Sequence, residues 1–410
     1  MTRDEYIARE DRYGAHNYKP LPVVLERGEG ARVWDTDGKE YFDFLAAYSA
    51  VNQGHCHPKI IKALAEQGQK LTLTSRAFHS NNLGEFEQYM SELFGFDKVL
   101  VMNSGVEAVE TGLKLCRKWA YKVKGIRENE AKIIVVDGNF HGRTTGVISF
   151  STDPDSYAGF GPFMPGYITI PYNDLEALEE ALNIPGVAGF MLEPIQGEAG
   201  VIVPDEGYLS KANAMCKAKN VLFIADEVQT GIARTGKMLA CDHENVRPDI
   251  LILGKALSGG VMPVSAVLAD DEVMLSIQYG EHGSTFGGNP LACAVAKAAL
   301  EVVLEEDLIA KADALGKIFR DRMRAIDSPL ITAVRGKGLL NAIDIVPYAE
   351  GKTGWDVCLM FRDNGLLAKQ THDNTIRFAP PLVITEEELN KCCDIIEQTI
   401  VALPVPETVA

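Results

Sequence analysis

The sequence has no long apolar run and little basic charge. No stretch approaches the roughly 18 consecutive apolar residues that a membrane-spanning helix needs. Asp and Glu outnumber Lys and Arg by 57 to 40, which gives a formal net charge of −17. This excess argues against nucleic acid and anionic membranes as partners, because both repel a negatively charged protein. An anionic ligand must therefore be held by local basic side chains or backbone amides.

Cysteine is too scattered to build a disulfide framework or a zinc site. The eight Cys contain no Cys-x-x-Cys pair, and His55-Cys56-His57 lacks a second ligand cluster elsewhere in the chain. The first residues have no apolar signal core, and their acidic side chains are atypical of a transit peptide. We therefore expect reduced thiols, no bound metal and a cytoplasmic location.

Apolar runs alternate with helical patterns from about residue 98 onward. Continuous Val/Ile/Leu runs spaced in this way predict an α/β fold with a largely parallel seven-stranded sheet covered by helices on both faces. The predicted strands are Lys98–Met102, Lys132–Val136, Tyr167–Ile170, Val187–Leu192, Val221–Ala225, Ile250–Leu253 and Val264–Leu268.

The two ends of the chain differ in character from this middle part. Residues 1–47 predict a charged helix ending near Gly14 and then hairpins, with a turn at Asp37-Gly38. Residues 48–290 form the predicted large domain. A long helix over Leu291–Glu306 opens the predicted C-terminal domain, 291–410, a smaller α+β unit that the N-terminal segment is expected to join.

Lys255 follows an apolar strand that carries no other charge, in Ile250-Leu-Ile-Leu-Gly-Lys255. Burial disfavours an ammonium group and lowers its pKa toward the neutral, nucleophilic amine, which Schiff-base chemistry requires. A lysine at a strand end can instead simply reach solvent. Its neighbours decide between the two interpretations.

Other strand ends supply matching groups, since ligands of open α/β sheets gather there. Asp226 ends an apolar run and needs a cationic partner, such as a protonated pyridine nitrogen. Ser104-Gly105-Val106 opens a helix whose free amides suit a phosphate, although a simple N-cap would look the same. Phe140 and Arg143 share one glycine-containing loop, unless they are a core ring and a surface cation.

An amine, a carboxylate for a ring nitrogen, a phosphate cradle and an aromatic ring for stacking together favour pyridoxal phosphate as cofactor. A nucleotide-binding P-loop is excluded, because Lys255 is followed by Ala and lacks the upstream glycine of that motif.

Six motifs carry a resemblance to the pyridoxal-phosphate-dependent class III aminotransferases of fold type I, and within them to the branch that acts on ornithine. The resemblance runs from Gly14 to about Leu403. The motifs are Asn103-Ser-Gly-Val-Glu-Ala108, Asn139-Phe-His-Gly-Arg-Thr144, Glu193-Pro-Ile-Gln-Gly-Glu198, Asp226-Glu-Val-Gln-Thr-Gly231, Gly254-Lys-Ala-Leu-Ser258 and Gly283-Ser-Thr-Phe-Gly-Gly-Asn-Pro290.

The resemblance implies a role for each cofactor residue. Lys255 would hold the cofactor as a Schiff base and carry the proton, and Asp226 would pair with the ring nitrogen. Ser284 and Thr285 would reach the phosphate from a partner subunit, which implies a homodimer with shared active sites. The remaining cofactor residues would be Ser104, Gly105, Val106, Phe140, His141, Glu193 and Gln229.

The same resemblance implies L-ornithine and 2-oxoglutarate as substrates. Ping-pong transfer of the terminal amine would give glutamate 5-semialdehyde, which closes to pyrroline-5-carboxylate, and glutamate. Glu198 would mask Arg377 in the first half-reaction and release it for the oxo acid in the second. The substrate residues would be Tyr18, Tyr48, Arg143, Glu198 and Arg377.

His141 stands where some relatives carry Trp, and its motif is shared by several branches of the family. N-acetylornithine, 4-aminobutyrate and lysine therefore stay open as alternative amines. An aminomutase on the same fold and a non-catalytic interaction protein are further alternatives. The intact Lys255 and Asp226 argue against the last of these.

Overall fold

The computed structural model describes residues 1–406, which are organised around three β-sheets. The strands are β1 (Leu25–Glu29), β2 (Arg32–Asp35), β3 (Glu40–Asp43), β4 (Lys98–Met102), β5 (Lys132–Val136), β6 (Tyr167–Ile170), β7 (Val187–Leu192), β8 (Leu222–Asp226), β9 (Ile250–Leu253), β10 (Ser265–Ala269), β11 (Ile331–Lys337), β12 (Leu340–Ile345), β13 (Leu366–Leu367), β14 (Lys369–Thr371) and β15 (Thr375–Phe378).

The helices connect and cover these strands. They are α1 (Arg3–Tyr13), α2 (Ala46–Ser49), α3 (Pro58–Gly68), α4 (Asn81–Phe94), α5 (Gly105–Trp119), α6 (Pro154–Tyr157), α7 (Leu175–Leu182), α8 (Tyr208–Ala218), α9 (Asp271–Met274), α10 (Pro290–Glu305), α11 (Leu308–Arg324), α12 (Gly354–Asp363) and α13 (Glu386–Val401). A π-helical turn spans Ala120–Lys124, and 3-10 turns span Val147–Phe150, Ala240–Glu244 and Lys255–Ser258.

The seven predicted strands form one sheet, in the order β4-β10-β9-β8-β7-β5-β6. The prediction is confirmed within one residue at every strand. Strand β10 runs antiparallel to both of its neighbours, whereas the strands from β9 to β6 are parallel. Every residue of β7, β8 and β9 is buried, which explains their continuous apolar sequences.

Helices cover this sheet on both faces because successive side chains of a strand point in opposite directions. Ile133 and Val135 of β5 pack in the cluster that contains α5, whereas Ile134 and Val136 pack with α7 and α8. A further cluster joins the sheet to α10, α11 and α13. The sheet therefore has a closed core, and its polar groups are left at the strand ends.

The predicted N-terminal hairpin and C-terminal helix are both confirmed. Strands β2 and β3 pair antiparallel across the Asp37-Gly38 turn, and α10 begins one residue before the predicted Leu291. Strand β13 from the C-terminal part pairs with β3, so the two ends of the chain share a sheet. Division into domains at residues 47 and 290 stays a prediction.

The cysteines and histidines singled out in the sequence do not converge. Cys56 is exposed, and the other seven cysteines are buried free thiols. His55 contacts Asp43 and His57 contacts Glu306, so the two rings of His55-Cys56-His57 face different partners. Within residues 1–406, no helix has the length and apolar composition needed to cross a membrane.

Candidate active site

A cavity of about 230 Å³ opens where β8, β9 and the N-terminus of α5 meet. This is the edge of the sheet at which open α/β proteins bind ligands. The sequence motifs arrive here from separate loops of the chain. The lining residues are Gly105, Val106, Val109, Phe140, His141, Gly142, Glu193, Glu198, Asp226, Val228, Gln229 and Lys255.

Lys255 begins the 3-10 turn that follows β9, and its backbone φ of +42° is unusual for a residue with a side chain. Gly254 separates the strand from this turn. Burial lowers the pKa of the Lys255 amine, and the charges of Glu198 and Asp226 oppose that shift only in part. The amine is therefore closer to its neutral, nucleophilic form than an exposed lysine is.

Asp226 and His141 form a buried pair on one wall of the cavity. His141 Nδ1 lies 2.6 Å from Asp226 Oδ2, and the Val228 amide donates to Asp226 Oδ1 at 3.0 Å. Burial alone would lower the pKa of His141, but the hydrogen bond and charge of Asp226 outweigh it and raise that pKa. The other ring nitrogen of His141, Nε2, is buried without a hydrogen-bond partner among residues 1–406.

The N-terminus of α5 presents two free amides. Ser104 Oγ accepts from the Glu107 amide, and Glu107 Oε2 accepts from the amides of Asn103 and Ser104. The amides of Gly105 and Val106, which line the cavity, have no acceptor in the described chain. A side chain at position 105 would approach Val228 Cγ1 to 2.9 Å, so glycine lets the helix start sit against this wall.

Glu193 fixes the loop that carries Phe140. Its carboxylate accepts the Phe140 amide at 2.9 Å and the Gly197 amide at 3.3 Å. Burial raises the pKa of Glu193 to about 7. The Arg143 guanidinium carbon lies 5.6 Å from the centre of the Phe140 ring, and the Arg143 side chain is exposed. These contacts make Glu193 an anchor of the aromatic wall.

Glu198 and Arg377 form the predicted ion pair. Arg377 NH1 lies 2.6 Å from Glu198 Oε1 and also donates to the Gly197 carbonyl at 3.4 Å. Burial alone would raise the pKa of Glu198, but the charge of Arg377 outweighs it and lowers that pKa. Arg377 Nε is buried with no acceptor within residues 1–406, so the guanidinium keeps donor capacity for a second anion.

Tyr18 and Tyr48 lie together in an adjoining cavity of about 500 Å³. Tyr18 is 68% exposed, and neither tyrosine lines the Lys255 cavity. Tyr48 links the two spaces, because its ring lies 5.4 Å from the Arg377 guanidinium carbon and its carbonyl accepts from Gln229 Nε2. Arg143 also lies outside the Lys255 cavity lining.

Ser284 and Thr285 do not line the Lys255 cavity of their own chain, and Ser104 does not either. Ser284 Oγ accepts from Asn103 Nδ2 at 2.8 Å, which places its loop beside the start of α5. Thr285 is exposed. A role of Ser284 and Thr285 at the phosphate site of a partner subunit, as the resemblance implies, stays a prediction.

Three lining residues were not among the predicted ones: Val109, Gly142 and Val228. Val228 packs against Gly105 and Gly254, and Gly142 leaves room for Val106. Gly142 and Val228 lie inside two of the six sequence motifs. Val109 lies outside them, and its only signal is its position one helical turn after Gly105 in α5. The contact of His141 with Asp226 joins two motifs 85 residues apart and has no signal in the sequence.

These residues fit pyridoxal phosphate on structural grounds. Two free amides can bind the phosphate, and Asp226 can accept from a protonated ring nitrogen. The Lys255 amine shares the same cavity and can reach an aldehyde. His141, whose buried Nε2 has no partner within residues 1–406, adds a further polar side chain to the lining.

Comparison with known proteins agrees with this site. Residues 13–400 match the aminotransferase class-III family. The chain is 62% identical over 399 residues to the mitochondrial ornithine aminotransferase of Rattus norvegicus, covering 97% of this chain and 91% of that protein. The Toxoplasma gondii ornithine aminotransferase structure, described with pyridoxal phosphate at its active site, has a TM-score of 0.96, 50% identity and coverage of 98% and 95%. An acetylornithine aminotransferase structure from Elizabethkingia anophelis has a TM-score of 0.90, 59% identity and coverage of 98% and 99%.

Proposed function

The chain belongs to the class-III aminotransferase family, and we propose that it transfers the terminal amine of L-ornithine to 2-oxoglutarate. It is a pyridoxal-phosphate-dependent transaminase of fold type I. The products would be glutamate 5-semialdehyde, which closes to pyrroline-5-carboxylate, and glutamate. Similarity over nearly the full length to ornithine aminotransferases of rat, fly, worm and fungi supports this substrate most directly.

Six residues of the cavity have a proposed part in holding the cofactor or moving the proton. When bound, pyridoxal phosphate supplies an electron sink for charge that develops on the substrate carbon. Lys255 acts as nucleophile and then as the base that moves the proton, and its lowered pKa suits both tasks. Asp226, held by His141, keeps the ring nitrogen protonated. The amides of Gly105 and Val106 bind the phosphate, and Phe140 packs against the ring.

The Glu198–Arg377 pair supports the two-substrate scheme. While Glu198 occupies Arg377, the arginine does not attract the α-carboxylate of ornithine, so the terminal amine, and not the α-amine, would be presented to the cofactor. Tyr48 and Tyr18, in the adjoining cavity, bind the amino-acid end, and Arg143 at its exposed position meets a substrate carboxylate. A dicarboxylate replaces Glu198 on Arg377 in the second half-reaction, at modest net cost because one carboxylate is exchanged for another.

Removing the Glu198 charge should weaken the preference for the terminal amine of ornithine over the α-amine of glutamate. In Glu198→Ala we expect the ratio of kcat/KM for glutamate to kcat/KM for ornithine to rise about tenfold, the effect of a change of about 1.4 kcal/mol. Single-turnover measurements with each amino acid give this ratio. Glu198→Gln, which keeps the shape and loses the charge, should change the ratio in the same direction. An unchanged preference in both variants would contradict the masking role.

N-acetylornithine is the second candidate amine, since the acetylornithine aminotransferase structure of Elizabethkingia anophelis is 59% identical to this chain. The two candidates are separated by adding each amine to the loaded enzyme without oxo acid. We expect ornithine to change the absorbance of the bound cofactor and to form a product that o-aminobenzaldehyde traps as a coloured adduct. A change with N-acetylornithine or 4-aminobutyrate alone would refute ornithine as the substrate and leave the family intact.

We also propose a homodimer with shared active sites. Ser284 and Thr285 lie outside the cavity of their own chain, on a loop where Phe286 and the nearby Tyr279 are exposed large apolar residues. A second copy that covers this loop would bury those rings and bring Ser284 and Thr285 to the other phosphate site. Light scattering of the purified chain tests the association, and a monomeric mass would refute it.

A cytoplasmic location is the remaining proposal. Its support is the set of eight free thiols, which suits a reducing compartment. The rat relative is named mitochondrial, and the mitochondrial matrix is also reducing. Fractionation of cells that express the full chain distinguishes the two compartments.

A further inference from the structure

We propose that Asp43 is a positioning residue for the amino-acid substrate, because it holds the strained turn that presents Tyr48. The inference rests on the proposed function of Tyr48 in substrate binding. It assigns a role to a carboxylate that lies outside the Lys255 cavity and lines the adjoining cavity with Tyr18 and Tyr48.

The turn in question is α2, whose backbone is left-handed. The φ angles of Ala46, Ala47, Tyr48 and Ser49 are 46°, 48°, 59° and 71°. None of the four is glycine, and a Cβ disfavours this conformation at each position. Four such residues in succession persist only when surrounding contacts hold them, and strain of this kind concentrates at functional sites.

Asp43 supplies contacts at the start of the turn. Its Oδ1 accepts the amides of Leu45 and Ala46, both at 2.9 Å. Its Oδ2 lies 2.7 Å from His55 Nε2. The Asp43 side chain is only 10% exposed, so water competes little for these bonds. One carboxylate thus connects the first amides of the turn to a fixed imidazole.

His55 is itself held by the N-terminal sheet. Its backbone exchanges two hydrogen bonds with Gly30, at 2.8 and 3.1 Å. A side chain at Gly28 of β1 would approach the His55 ring to 2.8 Å, so glycine makes room for the imidazole. The path from β1 through His55 and Asp43 therefore reaches the turn without passing through the cofactor residues.

Tyr48 is the functional residue on this turn. Its ring faces Arg377, and its carbonyl is bound by Gln229, so it lies where the two cavities meet. Relaxation of the turn would displace the ring from the amino-acid end of the substrate. Neither Lys255 nor Asp226 shares a hydrogen bond with Asp43 within residues 1–406, so their positions should change less than that of Tyr48. Loss of Asp43 should thus raise KM more than it lowers kcat.

Asp35 is a matched control for the general effect of losing a buried carboxylate. It is as buried as Asp43, since each residue as a whole, backbone included, is 7% exposed. It also accepts two backbone amides, those of Asp37 and Lys39, together with the Tyr41 hydroxyl. Asp35 caps the turn between β2 and β3 and does not contact α2. Substitution of either residue should lower thermal stability, but only Asp43 should affect the substrate.

The experiment compares Asp43→Ala with Asp35→Ala in the full-length, cofactor-loaded enzyme. We expect Asp43→Ala to raise the KM for ornithine about tenfold or more while kcat changes less than about threefold, since a small displacement of a binding group is costly. Hydrogen exchange at the amides of Leu45 and Ala46 should become faster. Asp35→Ala should lower Tm with an unchanged KM. Equal KM values in the two variants would overturn the proposal.

A second variant tests the strain directly. Ala47 is exposed and has φ of +48°, so Ala47→Gly should relieve the turn with little loss of packing. In the Asp43→Ala background, Ala47→Gly should reverse at least half of the increase in KM, and an unchanged KM would overturn the proposal.

Asp43→Asn, which keeps an oxygen acceptor, replaces Asp43→Ala in this comparison if Asp43→Ala does not fold. If the wild-type enzyme uses a different amine, the proposed substrate fails, and the same comparison with that amine still decides the role of Asp43.

Discussion

Replacing Lys255 with alanine should lower kcat/KM for transamination by about 10⁴-fold, the upper range for loss of a positioned proton-transfer group. Lys255 combines two properties in one place, a partly buried amine with a lowered pKa and a position at the C-terminal end of β9. The variant would lose the group proposed as both nucleophile and base. Lys255→Arg keeps a charge of the same sign but should lose activity to a similar degree, since guanidinium is neither nucleophilic nor basic near neutral pH.

Three measurements separate this role from a structural one. Borohydride reduction followed by peptide mass analysis should place the cofactor on the Lys255 peptide in the wild-type enzyme and on no peptide in the variants. Added methylamine should restore part of the lost rate in Lys255→Ala, because it supplies the missing base. Lys124 is the matched control: burial also lowers its pKa, but it donates to the Val187 carbonyl away from the cavity. If Lys124→Ala lost as much activity as Lys255→Ala, the catalytic role would be wrong.

The sequence predicted those features that depend on local pattern. Continuous apolar runs identified all seven strands of the central sheet, because a strand buried on both faces tolerates few polar residues. The rule that ligands bind at the carboxyl ends of strands then selected Lys255, Asp226 and the start of α5. In the structure these three do line one cavity. Each was identified because it interrupts or follows an apolar pattern.

The sequence could not predict contacts between distant loops. Nothing local indicates that His141 would meet Asp226, or that Glu193 would bind the Phe140 amide. The left-handed turn at Tyr48 was equally hidden, because Ala-Ala-Tyr-Ser contains no glycine or asparagine to signal positive φ. Such features arise when tertiary packing overrides local preference, and here they cluster around the proposed site.

The charges of the site also depend on which side chains the fold brings together. The chain carries a net −17, yet the cavity region combines Lys255, Arg377 and His141 with three carboxylates. Arg377 is paired with Glu198, and His141 is paired with Asp226. In the proposed reaction a ligand carboxylate replaces Glu198 on Arg377, whereas Asp226 keeps its contact with His141 and accepts from the ring nitrogen in addition. An acidic protein can therefore bind an anionic cofactor and a dicarboxylate through a few hydrogen-bond donors and basic side chains located at the site.

Replacing Asp226 with alanine should lower kcat by about 10³-fold while the enzyme stays folded. In the proposed function the carboxylate is a preorganised electrostatic group that would pair with the ring nitrogen, and removal of one such group typically costs about 10² to 10³ in rate. The effect should lie at the upper end of this range. His141, which lines the same cavity, would also lose the anion that raises its pKa. The pH dependence of the bound cofactor's absorbance should therefore shift in the variant.

Asp249 provides the contrast for this experiment. It is a half-buried carboxylate directly before β9, and burial raises its pKa, but it accepts the Phe223 amide at the opposite end of the strands. Asp249→Asn should alter stability without the absorbance shift, whereas Asp226→Asn should reproduce the kinetic loss because an amide oxygen cannot hold the proton on the ring.

An N-methylated cofactor analogue, whose ring charge is permanent, should restore part of the activity of Asp226→Ala. Failure of that analogue to restore any rate would place the function of Asp226 in holding His141 and not in protonating the cofactor.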